Sequence, residues 1–386
     1  MKINPSILAA ALGLASVSLA SATQYVYLTG STAARDAVYT TITNGNAVFD
    51  AAPLFIGYGS TTPGSTSFME FSNTIAGTPT IIKCAWSGSE AGIADVSGSG
   101  TESFLADPGT AGLIASGATT ASSSGLLTDV EQVEVAQADN AKAYSSNPTS
   151  TASEIFDQLA IPFVFVKATN EITDQGLFTT VTDDNFKNLA SGGDLLAVFT
   201  GNAADVNNYV YLAGRDNNSG TRVNTLDVTG YGSKRSVAQI ELSAGAMVQF
   251  GSPAAYQGNG GQASGGTLAK SLSDTTLSTD QVNGGTGFIA VAYLGLSDDA
   301  TAEGAPFNAI RLNYNGVPYT TANVENGLYT FWGKEYTLIR SGAPAIATTV
   351  ANSIVAHIQA NTSGFEIPYS QMNVDRSGPT TQPTHD

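Results

Sequence analysis

Three short stretches of the sequence combine the residue types that hold a small anion. They are Gly30-Ser31-Thr32, Ser87-Gly88-Ser89, and the run Arg215-Asp216-Asn217-Asn218-Ser219-Gly220-Thr221. Glycine lets the main chain turn tightly and come close to a ligand. Ser and Thr add hydroxyl donors. Where a helix starts at such a turn, its first N–H groups have no intrahelical partner and point at any anion in front of them. One turn of this kind needs no more explanation than helix capping. Three of them, one carrying an arginine whose planar fork matches an oxyanion, exceed that need. The chemistry predicted is non-covalent recognition of a small oxyanion.

Such turns work only if strands and helices bring them together. Gln24 to Thr29 is a β-rich alternating run, and Ala33 to Thr43 has helical composition. Thr80 to Trp86 and Val130 to Ala136 read as further strands, the second of which ends at Gln137-Ala138-Asp139. Ile161 to Lys167 is a continuous apolar run of the kind buried on both faces of a sheet. Thr182 to Leu189 reads as a helix capped at Thr182 or Asp183, and Tyr209 to Ala213 and Thr286 to Tyr293 as strands. Alternation of this kind predicts α/β architecture, with ligand at the carboxyl ends of the strands. Ser97 to Ser124 reads as a Gly/Ser/Thr/Ala-rich insertion, Ser252 to Thr267 as a Gly-rich loop whose end can open a helix, and Ser377 to Asp386 as a frayed polar tail.

Composition narrows the function. The 386 residues hold 15 Lys+Arg against 32 Asp+Glu, for a formal net charge of −17. A chain so acidic offers little material for a nucleic-acid-binding face. With a single cysteine, Cys84, it cannot be a disulfide scaffold. Cys84 stands in an apolar run and is expected to be a buried, reduced core residue. Residues 1–22 have the form of a secretory signal peptide: Lys2, an apolar stretch from Ile7 to Leu19, and the small-x-small site Ala20-Ser21-Ala22. No other window is apolar enough over 18 residues to span a membrane, and a periplasmic or secreted protein is expected.

Catalytic patterns are missing. The two histidines are His357, in a helical stretch, and His385, in the tail. With no second well-placed His and no G-x-S-x-G elbow, a Ser-His-Asp site is hard to assemble. The P-loop pattern and G-x-G-x-x-G after a strand are both absent. A non-enzymatic protein is expected, with no cofactor and no metal.

The motifs also occur in a recognisable order. The chain resembles the periplasmic substrate-binding proteins of phosphate ABC transporters, within the type 2 periplasmic-binding-protein superfamily. That family shows a strand followed by a G-S-T turn, here Thr29 to Thr32, and then a G-S-type loop, here Ser87-Gly88-Ser89. A small-residue–Asp stretch follows, here Gln137-Ala138-Asp139, and then R-x-D-x-S-G-T, here Arg215 to Thr221. Gly285 to Tyr293, Asn315 to Thr320 and Asn326 to Tyr329 are similar to its later segments, so the likeness runs over roughly residues 24 to 345. The family's Asp two places after the Arg is Asn217 here.

The resemblance implies a two-lobed fold with two hinge strands and a ligand cleft between the lobes. Lobe 1 is expected over 23–144, lobe 2 over 145–286, with a return to lobe 1 and a tail over 287–386. The implied ligand is inorganic phosphate, held by the hydroxyls of Ser31 or Thr32, Ser87 or Ser89, Ser219 and Thr221. The N–H groups of Thr32, Gly220 and Thr221 would add donors, and Arg215 would clamp. Asp139, an acceptor only, would favour an oxyanion that carries its own proton and disfavour sulfate. An ABC permease is the implied partner, and a monomer is expected. The alternatives are a secreted structural or adhesive protein that retains the fold, and a binder or sensor of another oxyanion.

Overall fold

The computed structural model describes residues 22–60, 62–110, 126–170, 175–243, 246–249, 260–272, 282, 288–304 and 308–385. All but the last residue of the expected signal peptide lies outside these residues. β1 (Gln24–Gly30) runs into α1 (Arg35–Thr43). β2 (Leu54–Tyr58), β3 (Phe68–Ile75) and β4 (Thr78–Ala85) follow as an antiparallel meander, and β4 leads into α2 (Ser89–Ser97). A small hairpin of β5 (Thr101–Phe104) and β6 (Asp129–Gln132) precedes β7 (Val135–Ala138) and the 18-residue β8 (Ser153–Asn170). Next come β9 (Thr180–Val181), α3 (Asp183–Gly192), β10 (Asp194–Leu195), α4 (Leu196–Thr200), β11 (Tyr209–Ala213) and α5 (Gly220–Val228). They are followed by β12 (Ile240–Ser243), β13 (Ala246–Gln249), α6 (Gly265–Ser271), β14 (Phe288–Gly295), α7 (Leu296–Glu303) and β15 (Ile310–Tyr314). The chain ends with α8 (Thr321–Glu325), β16 (Trp332–Ile339), α9 (Ala345–His357), β17 (Ile367–Pro368), β18 (Val374–Asp375) and β19 (Thr384–His385).

The architecture is a two-lobed α/β fold built on two half-sheets that share β8. One half has the order β2-β3-β4-β1-β7-β16-β8, and the other β8-β14-β11-β12-β13. β1 runs parallel to both β4 and β7, so these three carboxyl ends lie side by side. β11 runs parallel to β14, which is antiparallel to β8. The handover along β8 falls at Pro162. Residues up to Pro162 pair with β16, and from Phe163 onward the partner is β14. A proline has no N–H for a ladder, and it stands where the ladder changes partner. The flanking Ile161, Phe163, Val164, Phe165 and Val166 are at most 2% exposed. Each such side chain contributes about 1.5–3 kcal/mol by leaving water.

Helix starts follow their caps. Thr182 Oγ accepts the Asn185 N–H at 3.1 Å while Asn185 Oδ1 accepts the Thr182 N–H at 3.2 Å, which fixes α3 where the sequence places it. Cys84 is fully buried, and burial pushes its thiol pKa up. No helix among the described residues is long and apolar enough to cross a membrane.

Several expectations need correction. Residues 288–314 do not return to the first half-sheet. β14 and β15 pair with the Phe163–Asn170 portion of β8, and the chain rejoins the first half only at β16. The strand read over 130–136 is two strands. Val133 donates to Gly100 O and Glu134 to Tyr27 O, so the chain changes partner between the hairpin and the main sheet. The expected insertion begins with the end of α2 and β5, both ordered by pairing, and residues 111–124 lie outside the description. The end of the Gly-rich stretch over 252–267 does open a helix, α6, which Ser264 caps, and 252–259 lie outside as well. The tail is folded, not frayed. β18 and β19 pair, Lys334 Nζ meets Asp375 at 2.6 Å, and the Arg376 guanidinium lies 4.0 Å from the ring centre of the buried Trp332.

Candidate functional site

The three anion-type turns meet where the half-sheets abut. β1 ends at Gly30, whose φ of +116° is left to glycine because a Cβ there would overlap the Gln137 carbonyl. Gly88 N–H donates to Gly30 O at 2.9 Å, and Ser31 N–H donates to Gln137 O at 2.7 Å. These two bonds tie the ends of β1, β4 and β7 together. From the other half, Ser219 caps α5 by accepting the Arg222 N–H at 3.2 Å. The halves touch directly, since Glu90 N–H in the first turn of α2 donates to Asn218 O at 2.9 Å.

Asp139, one residue past the end of β7, is at the centre of this contact and is 1% exposed. Ser89 Oγ donates to its Oδ1 at 2.7 Å from one half, and Thr221 Oγ1 donates to its Oδ2 at 3.0 Å from the other. Asn224 Nδ2 donates to its carbonyl at 2.6 Å. Burial raises the Asp139 pKa, and the two hydroxyls and the charge of Arg215 pull it partly back. Gly220 packs against the same carboxylate so closely that any side chain there would overlap it. Ser89, Asp139, Gly220 and Thr221 thus form one contact set drawn from both halves.

Arg215 is 2% exposed and stands two residues past the end of β11. Its N–H donates to Tyr293 Oη at 3.0 Å, its Nε to Gln262 O at 3.1 Å and its Nη2 to Ala263 O at 3.0 Å. Its fork therefore holds the turn before α6 in this arrangement. Asp298, in the first turn of α7, lies close to it. Burial raises the Asp298 pKa, and Arg35 and Arg215 oppose the rise. Burial likewise lowers the pKa of Arg35, at the first position of α1, with Asp298 and Asp36 opposing.

The remaining predicted residues are placed differently. Ser31 Oγ accepts the Ala33 and Ala34 N–H groups at 3.2 and 3.4 Å, within the turn that precedes α1. Thr32 is buried beside it. Ser87 Oγ pairs with Thr29 Oγ1 at 2.7 Å, within its own half. Ser219 is engaged as the α5 cap.

Glu335 was not anticipated. It is fully buried on β16, and burial beside Asp139, Asp157 and Glu366 holds its pKa far above the usual carboxylate range, with the Ser31 side chain opposing the rise. It faces an irregularity of the β8–β16 ladder: between Lys334 and Tyr336, β8 advances from Ala160 to Phe156. The extra residues of β8 include Asp157 and Gln158, the latter with φ +59°. A bulge of this kind re-aims side chains next to a site. The spacing of Gly333, Glu335 and Thr337 puts them on one face of the strand, but the sequence alone does not show that this face is buried.

No family model matches the chain, and no curated protein matches it. Solved structures similar to it include one from Clostridium perfringens assigned as a phosphate ABC transporter substrate-binding protein, with bound phosphate. Its identity is 12%, its TM-score 0.47, and the match covers 87% of this chain and 97% of that one. An ABC-type phosphate transport receptor from Vibrio cholerae is 11% identical with a TM-score of 0.43, over 86% of this chain and 93% of that one. PstS from Borrelia burgdorferi is 12% identical with a TM-score of 0.37, over 89% and 98%.

Proposed function

We propose that this chain is an extracytoplasmic binding protein that captures inorganic phosphate for ABC-type uptake and performs no catalysis. The observation that carries this reading is Asp139, a buried acceptor set between the first turns of two helices, α2 and α5, that belong to different halves. A carboxylate in that place repels a fully ionised anion and accepts the proton of HPO4(2−) or H2PO4(−). Ser89 and Thr221 would turn their hydroxyls from Asp139 to phosphate oxygens as phosphate donates its own proton to Asp139. Every donor then keeps an acceptor. Ser31, Thr32, Ser87, Ser219, Gly220 and Arg215 would complete the shell as the halves close about β8 and the 315–331 crossing.

The test is isothermal titration with phosphate and with sulfate. Phosphate should bind and sulfate should bind at least about tenfold more weakly, the cost of leaving one buried acceptor unsatisfied. Asp139→Asn should shrink that ratio, because an amide can donate to sulfate. Equal affinity for the two anions in the wild type refutes the reading. An unchanged ratio in the variant removes Asp139 from this role.

A further inference from the structure

A cavity of about 430 Å³ opens between α2 and α5, and its lining includes none of the nine residues assigned to the phosphate site. Its walls come from both halves: Glu90 and Tyr144 from the first, Asn218 and Arg222 from the second, with the segment 233–236 closing one side. The chain has only 15 Lys+Arg, yet three of them, Arg222, Lys234 and Arg235, line this one space.

The cations are held in place. The Arg235 guanidinium lies 4.6 Å from the Tyr231 ring centre. Lys234 Nζ donates to Ser145 O at 2.8 Å, which reaches across to the other half. Arg222 Nη1 donates to Arg215 O at 2.9 Å. Among the described residues no carboxylate lies within 4.0 Å of the charged nitrogens of Lys234 or Arg235. Glu90 is the carboxyl group on the wall, and both its oxygens are already used, by Asn140 Nδ2 at 2.8 Å and by the Ser146 N–H at 2.7 Å. In a protein of net charge −17 three cations gather at this space; Glu90 and Asp227 interact with Lys234 and Asp216 with Arg222, and burial raises the pKa of all three carboxyl groups, which favours their neutral forms.

We propose that this cavity is a second binding site, for a small organic phosphate: a phosphoryl group on a hydroxylated body. The cations suit the phosphoryl group. Asn217, Asn218 and the serines at 146, 233 and 236 offer donors and acceptors for hydroxyls. The volume falls in the range of small-molecule sites and exceeds the needs of a bare tetrahedral anion. A ligand there touches residues of both halves. The inference does not depend on what Asp139 binds.

Titration with glucose 6-phosphate tests it, with glucose and inorganic phosphate as controls. Glucose 6-phosphate should bind the wild type and Asp139→Asn alike, and glucose should not bind. Lys234→Gln/Arg235→Gln should weaken glucose 6-phosphate about tenfold or more while the melting temperature stays unchanged, both side chains being exposed. Arg235→Gln alone serves if the double variant melts early. No binding at about 10 mM probe, or an affinity untouched by the substitutions, overturns the proposal. So does loss of the signal in Asp139→Asn, which would place the probe in the other site.

Discussion

Replacing Asp157 by Asn should stabilise the protein at alkaline pH and leave it unchanged in acid. Asp157 is fully buried in the β8 bulge, its Oδ2 accepts from Thr337 Oγ1 at 2.9 Å, and its Oδ1 has no partner. Burial lifts its pKa from the ordinary 3.8 to about 7. In the unfolded chain the group ionises near its ordinary value, so between the two pKa values the folded state holds a proton that the unfolded state has released. Stability linked to this group is therefore fully present below about pH 4 and is lost as pH rises through about 7. A shift of about three units corresponds to about 4 kcal/mol at most. Asparagine keeps the shape and the acceptor for Thr337 but carries no charge to bury. Urea unfolding at about pH 3.5 should give nearly equal stability for the two proteins, and at about pH 8 the variant should gain up to about 4 kcal/mol. Glu366, also raised to about 7, gives the wild type the same downward slope. A variant whose stability relative to the wild type is the same at both pH values would show that the buried proton is not on Asp157.

Two further outcomes rest on packing. Gly220→Ala should reduce phosphate affinity at least tenfold and cost about 1–3 kcal/mol by calorimetry, because overlap with Asp139 and Ser89 outweighs the roughly 1 kcal/mol that alanine gains in a helix. Lys83→Met should cost about 3–5 kcal/mol in urea unfolding. It strips the cation from Asp107 at 2.7 Å and Asp129 at 2.6 Å and leaves the buried Glu70 without its counter-charge. Glu70→Leu added to it should recover part of the loss.

The parts of the fold that repeat a local rule were readable from the sequence. β11 matches its predicted limits at Tyr209 and Ala213, and α3 starts at its predicted cap, because strand alternation and a capping box act over a few residues. The three Gly/Ser/Thr turns were readable for the same reason. What was hidden depends on partners far away in sequence. Nothing local divides Val130–Ala136 into two strands; the division comes from Gly100 and Tyr27. Arg215 was read as a clamp, and no local rule shows that in this arrangement its fork also holds carbonyls 47 and 48 residues on. Glu335 was passed over because a lone Glu in a strand reads as solvent-facing until its neighbours on β7 and β8 are known.

The sharing of β8 also fixes an order of assembly. Residues 163–170 of β8 find β14 after about three quarters of the chain has emerged, and the second half-sheet can then close on itself. The first half-sheet cannot: β7 and residues 153–162 of β8 both await β16, which is about 200 residues beyond β7. Closing so long a loop is slow, because its entropy is lost before the contacts form. The lobe made first is thus completed last, its seventh strand arriving only with Ile339. Until then β7 and β8 present unpaired edges to whatever surrounds the nascent chain, which makes this stage the one most exposed to misassembly.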